Sequence, residues 1–404
     1  MTIEKSKKLD YVGYDIRGPV ADEADLMTQQ GIDIIKLNTG NPAAFGFRAP
    51  KYILEDLIQN NELSQAYSHS KGILPAREAI AAYCKTKNIP DVTPNDVFTG
   101  NGVSELISMT MQGLLDNGDE ILIPSPDYPL WTSAATLAGG TAVHYQCDEE
   151  AEWYPDINDI RQKITRRTKA IVIINPNNPT GALYSRELLL EIIEIARQHN
   201  LVIFSDEIYD RLVMDGLEHI STASLAPDLF VVTFNGLSKS HQLAGFRCGW
   251  ICLSGNKHQA RSYIEGINML ASMRLCSNVL SQTVIKNALE DYHNADHLLM
   301  PGGRIYEQRE YITNAINDIP GLSVVKPKSA FYLFPKIDVK KFHIANDEQF
   351  VLDFLRKQHV LLTHGGGFNW KSPDHFRLVY LPEVETLKMI SQKLHDFLED
   401  YQQC

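Results

Sequence analysis

Ala170-Ile171-Val172-Ile173-Ile174, followed at once by Asn175-Pro176-Asn177-Asn178-Pro179-Thr180-Gly181, is the stretch on which the fold is read. The first five residues are apolar throughout, as in a parallel strand covered on both faces. Two prolines and a glycine then fix a turn, which holds Asn178 at the carboxyl end of that strand, where open α/β sheets bind ligands. Leu201-Val202-Ile203-Phe204 has the same texture. Between the two, Ser185 is placed to cap a helix whose Leu189, Ile192, Ile193 and Ala196 recur at helical spacing. Further strands are expected at 97–99, 120–123, 142–145, 229–234 and 248–253. This alternation predicts an α/β fold with a large domain over residues 45–290, its mostly parallel central sheet covered by helices on both faces.

After Pro301-Gly302-Gly303 the texture changes. Helical patterns near 304–317, 347–358 and 384–400 flank short strand patterns near 322–326, 331–335 and 376–380. Residues 291–404 are expected to form a smaller α+β domain together with residues 1–44, which show no obvious core strand.

The chain has 404 residues, 44% hydrophobic and 22% charged, and a net charge of −12. That charge argues against a nucleic-acid or anionic-membrane surface, since both need concentrated Lys and Arg. No apolar run is long enough for a membrane span, and no h-region follows the basic start. Six scattered cysteines without CxxC pairs fit buried thiols in a reducing, cytoplasmic setting.

Three more segments carry chemistry. Gly100-Asn101-Gly102-Val103-Ser104-Glu105 joins a strand to a helix, a pattern shared by plain turns and by phosphate cradles made of helix N-terminal N–H groups. Glu105 rules out a dinucleotide fingerprint, because GxGxxG needs a glycine there. Ser205-Asp206-Glu207-Ile208-Tyr209 puts a carboxylate at a strand end, either to cap a helix or to pair with a pyridinium nitrogen. Gly236-Leu237-Ser238-Lys239-Ser240 follows an apolar strand, with Arg247 eight positions beyond the lysine. A lone lysine is ordinarily a solvated surface group. This one lies between Gly236 and Gly245, where it can form a Schiff base while Arg247 grips a phosphate.

In this order the segments resemble the class I/II aminotransferases of fold type I, which depend on pyridoxal 5′-phosphate. Tyr14-Asp15-Ile16-Arg17-Gly18-Pro19, Asn41-Pro42-Ala43-Ala44-Phe45-Gly46-Phe47 and Pro126-Asp127-Tyr128-Pro129-Leu130-Trp131 are similar, within that group, to the bacterial glutamate–pyruvate (alanine) aminotransferases. The resemblance implies that Lys239 bonds the coenzyme aldehyde and that Asp206 pairs with the pyridine nitrogen. Asn178 and Tyr209 would hold the ring oxygen, and Tyr128 would stack on the ring. Gly102, Val103, Ser104, Ser238 and Arg247 would hold the phosphate. Tyr67 would reach the phosphate of a neighbouring subunit, giving a homodimer with shared sites. Arg377 would fork onto the substrate α-carboxylate, which Gly40 also contacts through its backbone.

The implied reaction is a ping-pong transfer of the amino group between alanine and 2-oxoglutarate, with amino acids and 2-oxo acids as partners. Arg17, beside Tyr14, either swings in to meet the second carboxylate of glutamate or is a surface residue fixed by Asp15. The glycine-rich Thr363-His364-Gly365-Gly366-Gly367 departs from the family's pattern, and its backbone freedom is expected to bear on domain closure. Other donors (aspartate, valine, aromatic) and a C–S β-lyase activity share the same motifs. A serine hydrolase does not fit, because Ser238 lacks the final glycine of GxSxG. A coenzyme-binding regulator does not fit either, since no length remains for a DNA-binding domain.

Overall fold

The structure, a computed structural model, describes residues 2–14, 16 and 18–403. Its centre is an eight-stranded sheet. In spatial order the strands are Val97–Asn101, Cys248–Gly255, Phe230–Gly236, Val202–Asp206, Thr168–Ile174, Glu120–Ser125, Thr141–Asp148 and Tyr154–Pro155. The five from Phe230–Gly236 to Thr141–Asp148 pair in parallel, whereas Cys248–Gly255 runs antiparallel to both its neighbours. The seven strands read from the sequence are all present. The missing one, Tyr154–Pro155, is a two-residue edge strand too short to leave a pattern.

Both faces of the sheet are covered, which explains its continuous apolar runs. Ile171 and Ile173 join Ile192, Ile193 and Ala196 of helix Arg186–His199 in one core. Val172 and Ile174 point the other way, into a core with Leu106 and Ile107 of helix Val103–Leu114 and Ile267 of helix Arg261–Met273. Each such side chain contributes roughly 1.5–3 kcal/mol by leaving water. A one-residue slip would exchange the two sets while burying the same types, so the polar residues at the strand ends must fix the register.

A third core gathers the C-terminal segment. Helices Arg304–Asn317, Asp347–Gln358 and Val384–Glu399 pack on short strands, of which Phe376–Val379 is the longest and pairs with Tyr332–Leu333 and Thr363–His364. The N-terminal residues do supply a strand here: Ile35–Lys36 runs parallel to Val360–Leu361. The glycine-rich stretch is not loose. The Gly365 N–H donates to the His375 carbonyl at 2.8 Å, and the Gly366 N–H donates to Asp347 Oδ2 at 2.7 Å. A Cβ on Gly365 would lie 2.9 Å from that same carbonyl, so the close approach there requires a glycine.

His375 pins this layer to the segment after strand Thr141–Asp148. Its ring is buried, stacks on Phe334 and meets Trp153 and Trp370 edge-on. Nδ1 lies 2.7 Å from Asp374 Oδ1 and Nε2 lies 3.4 Å from Glu149 Oε1, while Lys336 holds the other Glu149 oxygen at 2.6 Å. Burial opposes charge on the imidazole, but the two carboxylates outweigh it and raise its pKa. A raised histidine stabilises the fold fully below its unfolded value of about 6.5 and loses that contribution as pH climbs through the folded value. His375→Gln should therefore cost roughly 1–3 kcal/mol at pH 6 and distinctly less at pH 9, as read from denaturant melts at both values.

Candidate active site

The carboxyl ends of Thr168–Ile174, Val202–Asp206 and Phe230–Gly236 open onto a cavity of about 570 Å³. Asp206 closes its strand in register with Ile174 and Phe234. Its Oδ2 accepts from Trp131 Nε1 at 3.1 Å and its Oδ1 from the Ile208 N–H at 3.3 Å. Burial pushes its pKa up to about 6, against these two hydrogen bonds. A turn follows it, not a helix, so it caps nothing and is left facing the cavity. Tyr209, in that turn, shares a 2.8 Å hydrogen bond between hydroxyls with Tyr332.

The asparagine-dense loop divides its labour. Asn175 Oδ1 accepts from the Tyr184 N–H, and Asn177 Oδ1 accepts from the Thr180 hydroxyl, so both staple the loop. Asn178 lines the cavity, where its Oδ1 accepts from Arg377 at 2.8 Å.

An anion corner lies opposite. Gly102, with φ +79°, turns the chain into helix Val103–Leu114, and Val103 and Ser104 line the cavity at that helix start. The Arg247 guanidinium lies over Gly102, where any Cβ would strike it. Ser238 and Lys239 come in from the end of Phe230–Gly236. Glu105 is turned aside, accepting from the Asn101 N–H at 2.7 Å and pairing with Arg274.

At the other end Arg377, 1% exposed, lies between the rings of Tyr332 and Phe368, each 4.5 Å from the guanidinium carbon. It also donates to the Asn38 carbonyl, while its Nε has no partner. Lys239 Nζ donates to the Gly40 carbonyl at 2.7 Å. Tyr14 meets the Tyr128 hydroxyl at 2.8 Å, and burial raises the Tyr128 pKa, which keeps it a neutral phenol.

Of the residues singled out in the sequence, twelve line this cavity, and Gly102 borders it. Tyr67 does not, being 80% exposed elsewhere. Arg17, and Asp15 beside it, lie outside the described residues. Sequence reasoning missed Tyr332, Trp131, Asn38 and Gly249. Trp131 sits one helical step after Tyr128, a spacing that was available. Tyr332 stands in a two-residue strand without any motif.

Among the described residues, no carboxylate pairs with Lys239, Arg247 or Arg377, and Asp206 is the only carboxylate lining the cavity. Such a site suits an anion at each end and a cationic group between. Pyridoxal phosphate fits this donor set. Its phosphate matches the Gly102–Arg247 cradle, its ring nitrogen matches buried Asp206, and its aldehyde matches Lys239. A substrate carboxylate matches the unpaired edge of Arg377.

The sequence pattern of the family described as aminotransferase class I and II matches residues 32–394. The glutamate-pyruvate aminotransferase AlaA of Haemophilus influenzae is 59% identical over 399 residues, 99% of each chain. The crystal structure of an aminotransferase from Escherichia coli superposes with a TM-score of 0.99 at 56% identity, covering all of both chains. An alanine aminotransferase from Pyrococcus furiosus gives 0.92 at 40% identity, over 98% of this chain and all of that one.

Gly249 supplies a test of the anion corner. A Cβ there would lie 2.6 Å from the Val103 nitrogen and 2.8 Å from the Gly102 carbon, both backbone atoms. Overpacking of this kind costs roughly 1–3 kcal/mol. Gly249→Ala should thus weaken binding of a phosphate-bearing ligand by about tenfold or more while the fold persists, as measured by calorimetric titration.

Proposed function

Because this chain belongs to the class I and II aminotransferases, we propose that it exchanges the amino groups of alanine and glutamate for the oxo groups of 2-oxoglutarate and pyruvate. The family is generally dependent on pyridoxal phosphate, and the proposal assigns that coenzyme to this cavity. When bound, the coenzyme supplies an aldehyde that links to amines and a ring that draws electron density from the substrate Cα. Lys239 Nζ would bond the aldehyde and would move the proton of the substrate Cα. Asp206 would pair with the ring nitrogen and hold a proton on it. Asn178 and Tyr209 orient the ring oxygen, and Tyr128 covers the ring. Gly102, Val103, Ser104, Ser238 and Arg247 fix the phosphate. Arg377, with the backbone of Gly40, orients the substrate carboxylate.

The observation that carries this reading is the set of unpaired cations at opposite ends of one cavity, with buried Asp206 between them. For the choice of substrates, support comes from the names of the relatives at 59% and 57% identity, both glutamate-pyruvate aminotransferases. Tyr67 is exposed and does not line its own cavity, and Leu54, Ile58 and Leu63, shortly before it in the chain, are exposed as well. The proposal extends to a homodimer in which Tyr67 reaches the partner's phosphate cradle. It assigns residues 45–290 to the coenzyme-binding domain, 1–44 and 291–404 to the smaller domain, and the cytoplasm as the place of action. No helix among the described residues is long and apolar enough to cross a membrane.

The test is a matrix of amino donors against 2-oxoglutarate, with glutamate formation measured. Alanine should lead, Lys239→Ala should abolish turnover, and an aspartate or aromatic donor in first place would overturn the assignment. For Arg17 the proposal keeps the role of a carboxylate switch. Arg17→Ala should raise KM for glutamate and 2-oxoglutarate by roughly tenfold or more and leave alanine and pyruvate nearly unchanged. Equal losses on both sides would refute it.

A further inference from the structure

Tyr332 touches three of the groups assigned above, although no motif announces it. Its hydroxyl bonds the Tyr209 hydroxyl at 2.8 Å. Its ring forms one wall of the slot that holds the Arg377 guanidinium. Its hydroxyl also lies over the Cα of Gly40, so closely that a Cβ there would collide with it. Gly40 is the residue whose carbonyl accepts from Lys239 Nζ. The tyrosine itself is 2% exposed, so each contact is made away from bulk water.

We propose that Tyr332 is a positioning residue for transamination, its hydroxyl aiming the Tyr209 proton at the coenzyme ring oxygen and its ring setting the plane of Arg377. The proposal rests on the coenzyme-bound reading of the cavity. One hydrogen bond joins two hydroxyls, so one of their two protons is left over. If Tyr209 donated to Tyr332, the spare proton would belong to Tyr332, whose hydroxyl is crowded against the Gly40 Cα. Both tyrosines line the cavity, and when Tyr332 donates the spare proton belongs to Tyr209, which can then donate to an oxygen held there. A donor that itself accepts a hydrogen bond is the stronger donor, so Tyr332 strengthens the Tyr209 contact it never makes itself.

The second role follows from the slot. Arg377 has a ring on each face, Asn178 and the Asn38 carbonyl on its NH groups, and only its remaining N–H edge free. Two aromatic walls prevent rotation out of the plane in which a carboxylate can be gripped by two parallel bonds. Every α-carboxylate substrate meets the same plane. Loss of one wall must therefore weaken alanine and glutamate alike, unlike a change at a residue that reads side chains.

Two variants separate the roles, because Tyr332→Phe removes only the hydroxyl and Tyr332→Leu removes the wall as well. The holoenzyme of each is titrated with pH while its visible coenzyme absorbance is followed, and KM and kcat are measured for alanine and for glutamate. A bond donated to the ring oxygen favours its anionic form, so weakening that bond makes the chromophore protonate at higher pH. Tyr332→Phe should move the midpoint upward by about half a unit and leave KM within about twofold. Tyr332→Leu should move it similarly and raise both KM values by roughly tenfold in parallel, with kcat changed less. An unmoved midpoint in Tyr332→Phe, or KM values in Tyr332→Leu no higher than in Tyr332→Phe, would overturn the proposal. Parent protein that stays colourless with pyridoxal phosphate would instead remove the coenzyme reading, and the proposal with it.

Discussion

One hydrogen bond, from Arg377 to Asn178 Oδ1 at 2.8 Å, joins the C-terminal layer to the carboxyl edge of the central sheet. Its donor sits on strand Phe376–Val379 and its acceptor on the loop after Thr168–Ile174. It holds a buried guanidinium, which cannot remain unsolvated without partners, against a loop that two other asparagines have already made rigid. The Arg377 fork and the Asn178 amide are thereby fixed relative to one another. Neither the sheet nor the C-terminal layer holds both.

Asp206 shows why the centre of such a cavity needs a carboxyl group that water does not reach. Burial drives its pKa up to about 6, so in the open cavity its charge is only weakly held near neutral pH. A cation placed against it reverses that balance, because the same low polarity that penalises a lone charge strengthens a pair. The Trp131 N–H and the Ile208 N–H fix the two oxygens while leaving lone pairs free. A surface aspartate would be ionised whatever it faced, and could discriminate far less between a protonated and a neutral ring nitrogen.

Most of the fold and most of the site could be read in advance, for two different reasons. Parallel strands buried on both faces leave unbroken runs such as Ile171–Ile174, and their ends are marked by glycine, proline and asparagine. Residues placed at those ends are therefore close in sequence to strong signals, as Asn178, Asp206 and Lys239 are. Tyr332 and Asn38 were not legible because strands of two residues have no period, and their roles arise from what lies opposite them. Gly365 was ambiguous in the sequence for a related reason. A glycine allows freedom and close approach equally, and only the His375 carbonyl beside Gly365 decides which.

A net charge of −12 and a cavity that attracts anions are compatible because nearby acids are turned away one by one. Glu207 follows Asp206, and strand alternation points it to the opposite side. There its Oε1 accepts from the Ser205 and Ser221 hydroxyls at 2.9 Å and from the Thr222 N–H at 3.1 Å. Burial pushes its pKa up to about 8, which favours the neutral acid near pH 7. Asp127, beside Tyr128, is tied to Thr132 and Asn369, and burial pushes it up to about 7. Glu105, in the phosphate turn itself, is taken up by Arg274. The local sign of the field is set by these side-chain directions, whereas the total charge belongs to the outer surface. That separation lets an acidic chain keep a cavity whose lining carries three cations, Lys239, Arg247 and Arg377, against the one carboxylate of Asp206.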